Sequence, residues 1–334
     1  MKWRKLVLVI VLIVWIIGIA ACGKHEQVVA LPSAGNSAMV VRIDNFALNG
    51  EPREIVIRRP PERVVAIWQN SIETLLALGQ GDKIIIANGL PDKKYLKPEY
   101  QVEYEKIPRR EVYCPGQETV LAAKPDFILG WFSTFSPKQL QTPTFWAARN
   151  ANVYIADSSI PGNRRTPEDE YRYIVNLGKI FGVPERANIL VDRMKEHISA
   201  TVAATQGLMP PTVLVVEESG RQFRNYGSMT LAGSIVGLLN GQLLAAGNSI
   251  GREELLVLNP EVLFVVITEN NYSSADRVLM RLRNDSALKN MAAIRNNRLY
   301  TLPLYTVYCS GVRTYDGIRL IADGMYPETA KESL

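Results

Sequence analysis

Short apolar runs in this chain repeatedly end in aromatic, amide or guanidinium side chains. Trp68-Gln69-Asn70 follow the run that closes at Ile67, and Trp131-Phe132 follow the one that closes at Leu129. Arg221, Arg224 and Tyr226 lie beyond Val216. Glu269, Asn270, Asn271 and Tyr272 lie beyond Ile267, and Tyr305 and Tyr308 beyond Leu302. Two further guanidinium positions stand out: Arg164, of the pair Arg164-Arg165, and Arg313. Tryptophan and tyrosine supply rigid apolar walls with polar tips, which suits a bulky, flat or chelated ligand. Guanidinium groups hold carboxylates and other anions through paired hydrogen bonds. The chemistry these residue types offer is recognition. For any one aromatic, packing beneath a loop is an equal alternative, and for any one arginine plain surface charge is the commoner state.

Catalysis and metal capture find less support. Two histidines, His25 and His197, are too few for a histidine cage around a bare metal ion. No His-Glu-x-x-His pair occurs, no glycine-rich phosphate loop closes in Lys-Ser or Lys-Thr, and no Gly-x-Ser-x-Gly elbow is expected. The expectation is a binding protein with no catalytic residues and no resident cofactor; an enzyme on a two-lobed scaffold is the rival. Cys114 and Cys309 are expected as free thiols, and a disulfide between them would need Cα atoms within about 7 Å.

The elements that must position these residues come in a repeat. Glu118-Thr-Val-Leu-Ala-Ala-Lys-Pro125-Asp126 runs into Phe127-Ile128-Leu129-Gly130, and Glu253-Glu-Leu-Leu-Val-Leu-Asn-Pro260-Glu261 runs into Val262–Ile267. In both, an acid opens a short amphipathic helix and a proline stops it at the same distance. An acid follows the proline, and then a strand that reads as buried. Proline cannot continue a helix and turns the preceding residue toward extended geometry. The repeat implies two lobes built alike, each alternating strands with helices and so carrying a parallel sheet. In such sheets ligands sit beyond the carboxyl ends of the strands, which is where the aromatics and arginines fall.

Around the repeat, Arg63–Ile67, Lys83–Ala87 and Val153–Ile155 read as strands. Ser71–Leu78, with Ser71 as N-cap, and Ser136–Asn150 read as helices. Thr166-Pro167-Glu168-Asp169 is a strong helix start, and apolar stripes at helical spacing continue to about Thr205, interrupted at Gly182-Val183-Pro184. This long helical stretch joins the lobes and is expected to restrain their relative motion. In the second lobe Val213–Val216 and Arg298–Leu302 are strands, and Thr230–Leu239, Ala287–Ala293 and Tyr315–Met325 helices. Ahead of the first lobe, Met39–Ile43 and Arg53–Arg58 flank Asn49-Gly50 as a hairpin.

The chain starts with Lys2, Arg4 and Lys5, then an uncharged run from Leu6 to Ala21 that ends Ile19-Ala20-Ala21-Cys22-Gly23. A basic start, an apolar stretch and small residues before a cut mark a secretory signal; an uncleaved anchor is the alternative. Without those three cations the formal charge falls from +5 to +2, which is no footprint for nucleic acid. With 334 residues the chain has room for about two domains.

Taken together these features resemble two families. Cys22 after small residues resembles the lipobox of bacterial lipoproteins, which implies a lipid on Cys22 and a place outside the cytoplasm, held at the membrane. From Arg53 onward the chain resembles the helical-linker class of ABC importer substrate-binding proteins, which capture ferric siderophores, haem or cobalamin. The matching residues are Pro61-Glu-Arg-Val-Val65, Glu73-Thr-Leu-Leu-Ala-Leu-Gly79, Glu118 with Lys124-Pro-Asp126, Glu253 with Asn259-Pro-Glu261, and Asn297-Arg-Leu-Tyr300. The resemblance implies an α/β fold of two Rossmann-like lobes joined by a long helical linker. The expected division is 1–21 signal peptide, 22–52 lipidated Cys and tether with the first strand, 53–160 N-terminal lobe, 161–209 linker and 210–334 C-terminal lobe. It implies ligand in the inter-lobe cleft, with Trp68, Gln69, Asn70, Trp131, Phe132, Arg164, Arg224, Tyr226, Tyr272, Tyr305, Tyr308 and Arg313 as candidate contacts. The ligand expected is an iron complex, a ferric siderophore before a corrinoid or haem. It implies ABC permease and ATPase subunits as partners of a monomer, with Glu118 and Glu253 docking on the permease. Acids at helix starts also have a bland explanation, since the helix N-terminus is partly positive.

Overall fold

The computed structural model of the protein describes residues 40–47, 51–244 and 247–330. The expected export segment, Cys22 and the expected Asn49-Gly50 turn lie outside them. The described chain starts as an antiparallel ribbon of β1 (Val41–Phe46) and β2 (Pro52–Ile57), with Val41 opposite Ile57 and Phe46 opposite Pro52. Two-residue alternation buries Ile43, Ile55 and Ile57. The ribbon is tied to the first lobe by Asn45, whose amide donates to the Ile155 carbonyl (2.8 Å) and accepts from the Ile155 N–H (2.9 Å).

The first lobe alternates β3 (Val64–Ile67), α1 (Gln69–Ala77), β4 (Ile84–Asn88), α2 (Pro98–Glu105), β5 (Arg109–Glu111), α3 (Gln117–Ala123), β6 (Phe127–Gly130), α4 (Pro143–Ala147) and β7 (Asn152–Ile155). All strands are parallel, in the order β5-β4-β3-β6-β7. Every residue of β3 and β6 is buried, as helices on both faces of a parallel sheet require. Two expectations change. The helix read over Ser136–Asn150 contracts to α4, because Pro143 takes the first helical position and Thr142 caps it from outside, accepting from Phe145 N (3.1 Å). Ser71 lies inside α1, which starts two residues earlier beside Trp68.

The linker is helical and folds back on itself. α5 (Pro167–Ile180) starts where expected and opens with a capping box between Thr166 and Asp169. The chain reverses at Phe181–Val183, and α6 (Pro184–Thr205) returns antiparallel to α5. Gly178 makes the close crossing: a Cβ there would stand 2.3 Å from that of Ala187. α5 packs both on the first lobe and on the Gly311–Arg313 turn of the second, and α6 packs against the closing helix of the second.

The second lobe holds β8 (Thr212–Ser219), β9 (Gln222–Asn225), α7 (Leu231–Leu238), β10 (Gln242–Leu243), β11 (Ser249–Ile250), α8 (Arg252–Leu258), β12 (Val262–Ile267), α9 (Ala275–Arg283), α10 (Ala292–Arg295), β13 (Leu299–Pro303), α11 (Leu304–Val307) and α12 (Thr314–Met325). β8, β12 and β13 are parallel as expected. β9 runs antiparallel to β8 and β11 antiparallel to β9, so this sheet is mixed.

The repeat has a physical meaning. α3 and α8 are both seven residues long, both follow a glycine, and both stop at a left-handed residue, Lys124 or Asn259. The acid after each proline then clasps the start of the neighbouring strand. Asp126 accepts from Glu62 N (3.0 Å) and Arg63 N (2.9 Å), and Glu261 from Thr212 N (2.7 Å).

Candidate functional site

A cavity of about 380 Å³ opens between the lobes where the strands of both sheets end. The loop after β7 (Ser158 to Asn163) forms one wall, and the end of β9 (Arg224, Asn225) with Tyr226, Met229, Thr230 and Leu231 forms the other. Tyr308 closes it from the second lobe. Behind Tyr308 stands an aromatic stack from the first lobe: Trp131 meets Tyr308 edge-on (5.1 Å between centroids) and stacks on Trp68 (4.5 Å, 17°). Both indoles are pinned, Trp68 Nε1 donating to Thr134 Oγ1 (3.0 Å) and Trp131 Nε1 to Asn70 Oδ1 (2.9 Å). Trp68 holds this position with φ of 74°, a conformation that side-chain-bearing residues adopt only under constraint. Tyr226 reaches back to Glu217 (2.8 Å). Burial pushes the hydroxyls of Tyr226 and Tyr308 well above the usual phenol range, so they are neutral donors.

The candidate contacts divide into two groups. Trp68, Trp131, Tyr308, Arg224 and Tyr226 gather at this cavity. Tyr272, Tyr305 and Arg313 gather at the other end of the cleft, where the lobes already touch. There Tyr95 of the first lobe meets Tyr272 edge-on (4.9 Å), and Tyr272 meets Tyr305 (5.3 Å). Arg313 is engaged by the protein itself. Its Nη1 donates to Glu73 Oε1 (3.0 Å) and to the Tyr95 carbonyl (3.1 Å), and its Nε to Asp316. The Glu73 side chain is 0% exposed and that of Arg313 12%. Burial raises the Glu73 pKa and the Arg313 charge is the leading influence holding it down. Gln69 joins this buried network through Glu73 (3.0 Å). Asn70 is buried beneath Trp131 and serves to orient it. Phe132 donates its N–H to Ser159 Oγ (2.7 Å).

Arg164 is exposed and outside the cavity lining, whereas Arg165 lines it. Arg165 is 9% exposed, its N–H donates to the Met229 carbonyl (3.1 Å), and its carbonyl accepts from Ser234. Arg165 is thus held against the second lobe while its neighbour Arg164 faces water. Tyr95 was also hidden from sequence reading, because it sits in one short turn with no periodic pattern.

Two features fix the lobes to one another. Gly311, with φ of +52°, approaches α1 so closely that a Cβ would stand 2.6 Å from Thr74 Oγ1. Its N–H donates to the buried Glu170 carboxylate of α5 (2.7 Å). Burial outweighs that bond and lifts the Glu170 pKa to about 7. Cys309 is buried, Cys114 is half-buried, and both are free thiols.

Glu118 and Glu253 are the second residues of α3 and α8, and both are exposed. Contrary to expectation a Gly-x-Ser-x-Gly run, the mark of a serine nucleophile, occurs at Gly247–Gly251. It forms no strained elbow. Ser249 lies in the edge strand β11 and donates to Gln222 Oε1 (2.8 Å). Among the described residues no group of three or more His, Cys, Asp or Glu side chains is placed to hold a metal ion.

Two lobes, a helical linker and an aromatic cleft at the strand ends define a solute-binding protein. Residues 64–306 match the periplasmic binding protein family, and the chain belongs to that family as a substrate-binding component of an ABC transporter. It is 43% identical to a periplasmic binding protein from Veillonella parvula DSM 2008, with a TM-score of 0.81 over 88% of this chain and 94% of that one. An ABC transporter substrate-binding lipoprotein of Bacillus subtilis (strain 168), YvrC, is 21% identical across 84% of this chain and 85% of its own length. A vitamin B12-binding protein of Yersinia pestis (strain Pestoides F) is 22% identical across 63% of this chain and 71% of its own.

Proposed function

We propose that this protein captures a bulky metal chelate, a ferric siderophore foremost, in the cavity between its lobes and hands it to an ABC permease from outside the cytoplasm. The observation that carries the reading is the cavity lining: Tyr308, backed by the stacked Trp131 and Trp68, together with Arg165 and Arg224. Flat aromatic surface and guanidinium groups in one cavity suit a large, partly anionic complex. Lipidation of Cys22 keeps the protein at the membrane, and Glu118 and Glu253 meet arginines on the permease. A corrinoid is the second reading, favoured by the similarity to vitamin B12-binding proteins.

The test is a titration followed by tryptophan fluorescence, since Trp131 stands directly against Tyr308. Ferric siderophores, haem and cobalamin are added in turn to the purified protein. Saturable quenching by a ferric siderophore supports the reading, and saturation by cobalamin alone shifts it to the corrinoid. Tight binding of only a sugar or an amino acid refutes both.

A further inference from the structure

Trp68 carries an uncommon backbone. With φ of 74° and ψ of 155° it occupies a region that is otherwise almost reserved for glycine. Lys124 and Asn259 also have positive φ, but their ψ of 60° and 58° is the ordinary left-handed helix end. The surroundings over-determine Trp68. Its N–H donates to the Asn88 carbonyl (2.7 Å), its carbonyl accepts from Ser71 N (3.1 Å) and Ile72 N (3.3 Å) as α1 begins, and its indole is bonded to Thr134. The room for it comes from Gly89, which follows the neighbouring strand β4. A Cβ on Gly89 would stand 2.6 Å from Trp68 Cε3 and 3.0 Å from Trp68 Cα.

The consequence falls on Trp131, which is held from the single stretch Trp68–Asn70. The Trp68 ring lies along its face, and Asn70 accepts its indole proton. The turn at Trp68 sets the direction in which the chain leaves β3 for α1, so it sets both contacts at once. Trp131 in turn meets Tyr308 of the cavity lining. Strain of this kind persists only where a fold maintains it, and a surface fixed before binding loses less freedom when ligand arrives.

We infer that Trp68 and Gly89 are positioning residues for ligand recognition. Gly89 leaves the space that admits the strained Trp68, and Trp68 fixes the plane of Trp131, and with it the aromatic wall at Tyr308, in advance of binding. Neither residue is part of the cavity lining, so neither has to touch the ligand. This inference rests on the reading of the cleft as a ligand site and names what presets it.

The experiment uses protein labelled with 5-fluorotryptophan, in which Trp131→Phe assigns the Trp131 fluorine line. Gly89→Ala adds the intruding Cβ. Thr134→Val, which frees the Trp68 indole without adding bulk, serves if Gly89→Ala fails to fold, and melting curves verify each variant. The expected result is a displaced or split Trp131 line in both variants. Affinity for the probes, a ferric tris-hydroxamate, haem and cobalamin, should fall about tenfold, as for a wall in place one-tenth of the time. Replacing Trp68 itself reads the strain. Glycine is ordinarily less stable than alanine in an ordered segment, so Trp68→Gly melting above Trp68→Ala is the expected reversal. An unmoved Trp131 line in Thr134→Val or in folded Gly89→Ala, affinity within about twofold of wild type, or Trp68→Ala melting at or above Trp68→Gly overturns the inference. If no probe binds wild type, the chelate reading fails, and the fluorine line and the Trp68 pair still decide the positioning role.

Discussion

Replacing Arg313 by methionine isolates the ion pair that joins the lobes. Methionine keeps the length and apolar bulk of the side chain but removes the charge. Glu73, with no exposed side-chain surface, is left with Lys97 N (2.9 Å) and Gln69 Nε2 (3.0 Å) as its donors. Breaking a buried pair by removing one partner costs about 3–5 kcal/mol. At about 2.1 cal/mol/K of unfolding entropy per residue, a cooperative unit of about 300 residues loses roughly 1.6 °C per kcal/mol, so Tm at pH 7.5 should fall by roughly 5–8 °C. The sign of the pH dependence follows from the carboxyl. Its folded pKa already lies above its unfolded value, and loss of Arg313 raises it further. A carboxyl raised in this way favours the folded state below its unfolded pKa and loses that advantage as pH rises through the folded one. The deficit of Arg313→Met should therefore shrink as pH is lowered from 7.5 to 5. Calorimetry at the two pH values gives both quantities. The double variant Glu73→Leu/Arg313→Met, which buries no charge, should regain most of the loss. A Tm within 1 °C of wild type at pH 7.5, on the order of experimental scatter, or an equal deficit at both pH values, would refute the reasoning.

Other outcomes follow from the same geometry. Glu170, at about pKa 7 in the folded protein, contributes stability that is present below the unfolded carboxyl pKa and fades as pH rises to 7. Glu170→Gln should accordingly gain on wild type between pH 5 and 8 by an amount on the order of a few kcal/mol, read from melting curves across that range. Glu118→Ala together with Glu253→Ala should leave ligand affinity and Tm close to wild type while transport and ATPase stimulation in a reconstituted importer fall sharply; full transport would dismiss the docking role. Small-angle scattering profiles with and without ligand should nearly coincide, because Gly311, Arg313 and Tyr95 already hold the lobes in contact, and a large compaction would contradict this.

Much of the architecture was legible because proline, glycine and alternating apolar residues act locally. The helix-proline-acid-strand repeat led directly to α3 with β6 and α8 with β12, and the strand ends led to Trp68, Trp131 and Tyr308. What escaped sequence reading depends on tertiary contacts. Arg313 and Glu73 are 240 positions apart, so nothing local reveals that the arginine is already paired. Arg164 and Arg165 are neighbours of one type, told apart by the bonds that Arg165 makes to Met229 and Ser234 of the second lobe. The Ser136–Asn150 helix failed where Pro143 overrode a run of helix-compatible residues, and the β9–β11 ribbon is made of strands too short to show an alternation.

The linker hairpin bears on where the work of transport is done. Because α5 is bonded to Gly311 of the second lobe through Glu170, and α6 to Ala77 of the first through Arg186, the helix pair is packed against both lobes, and it is itself tightest where Gly178 meets Ala187. Parting the lobes then means sliding one packed surface over another, a shear and not the free swing of a strand hinge. Packed helices slide between discrete arrangements, so thermal motion seldom opens the cleft unaided. A captured ligand would have a long residence time on the free protein and leave quickly only when two outside handles, one on each lobe, are pulled in different directions. Release would then be timed by the transporter.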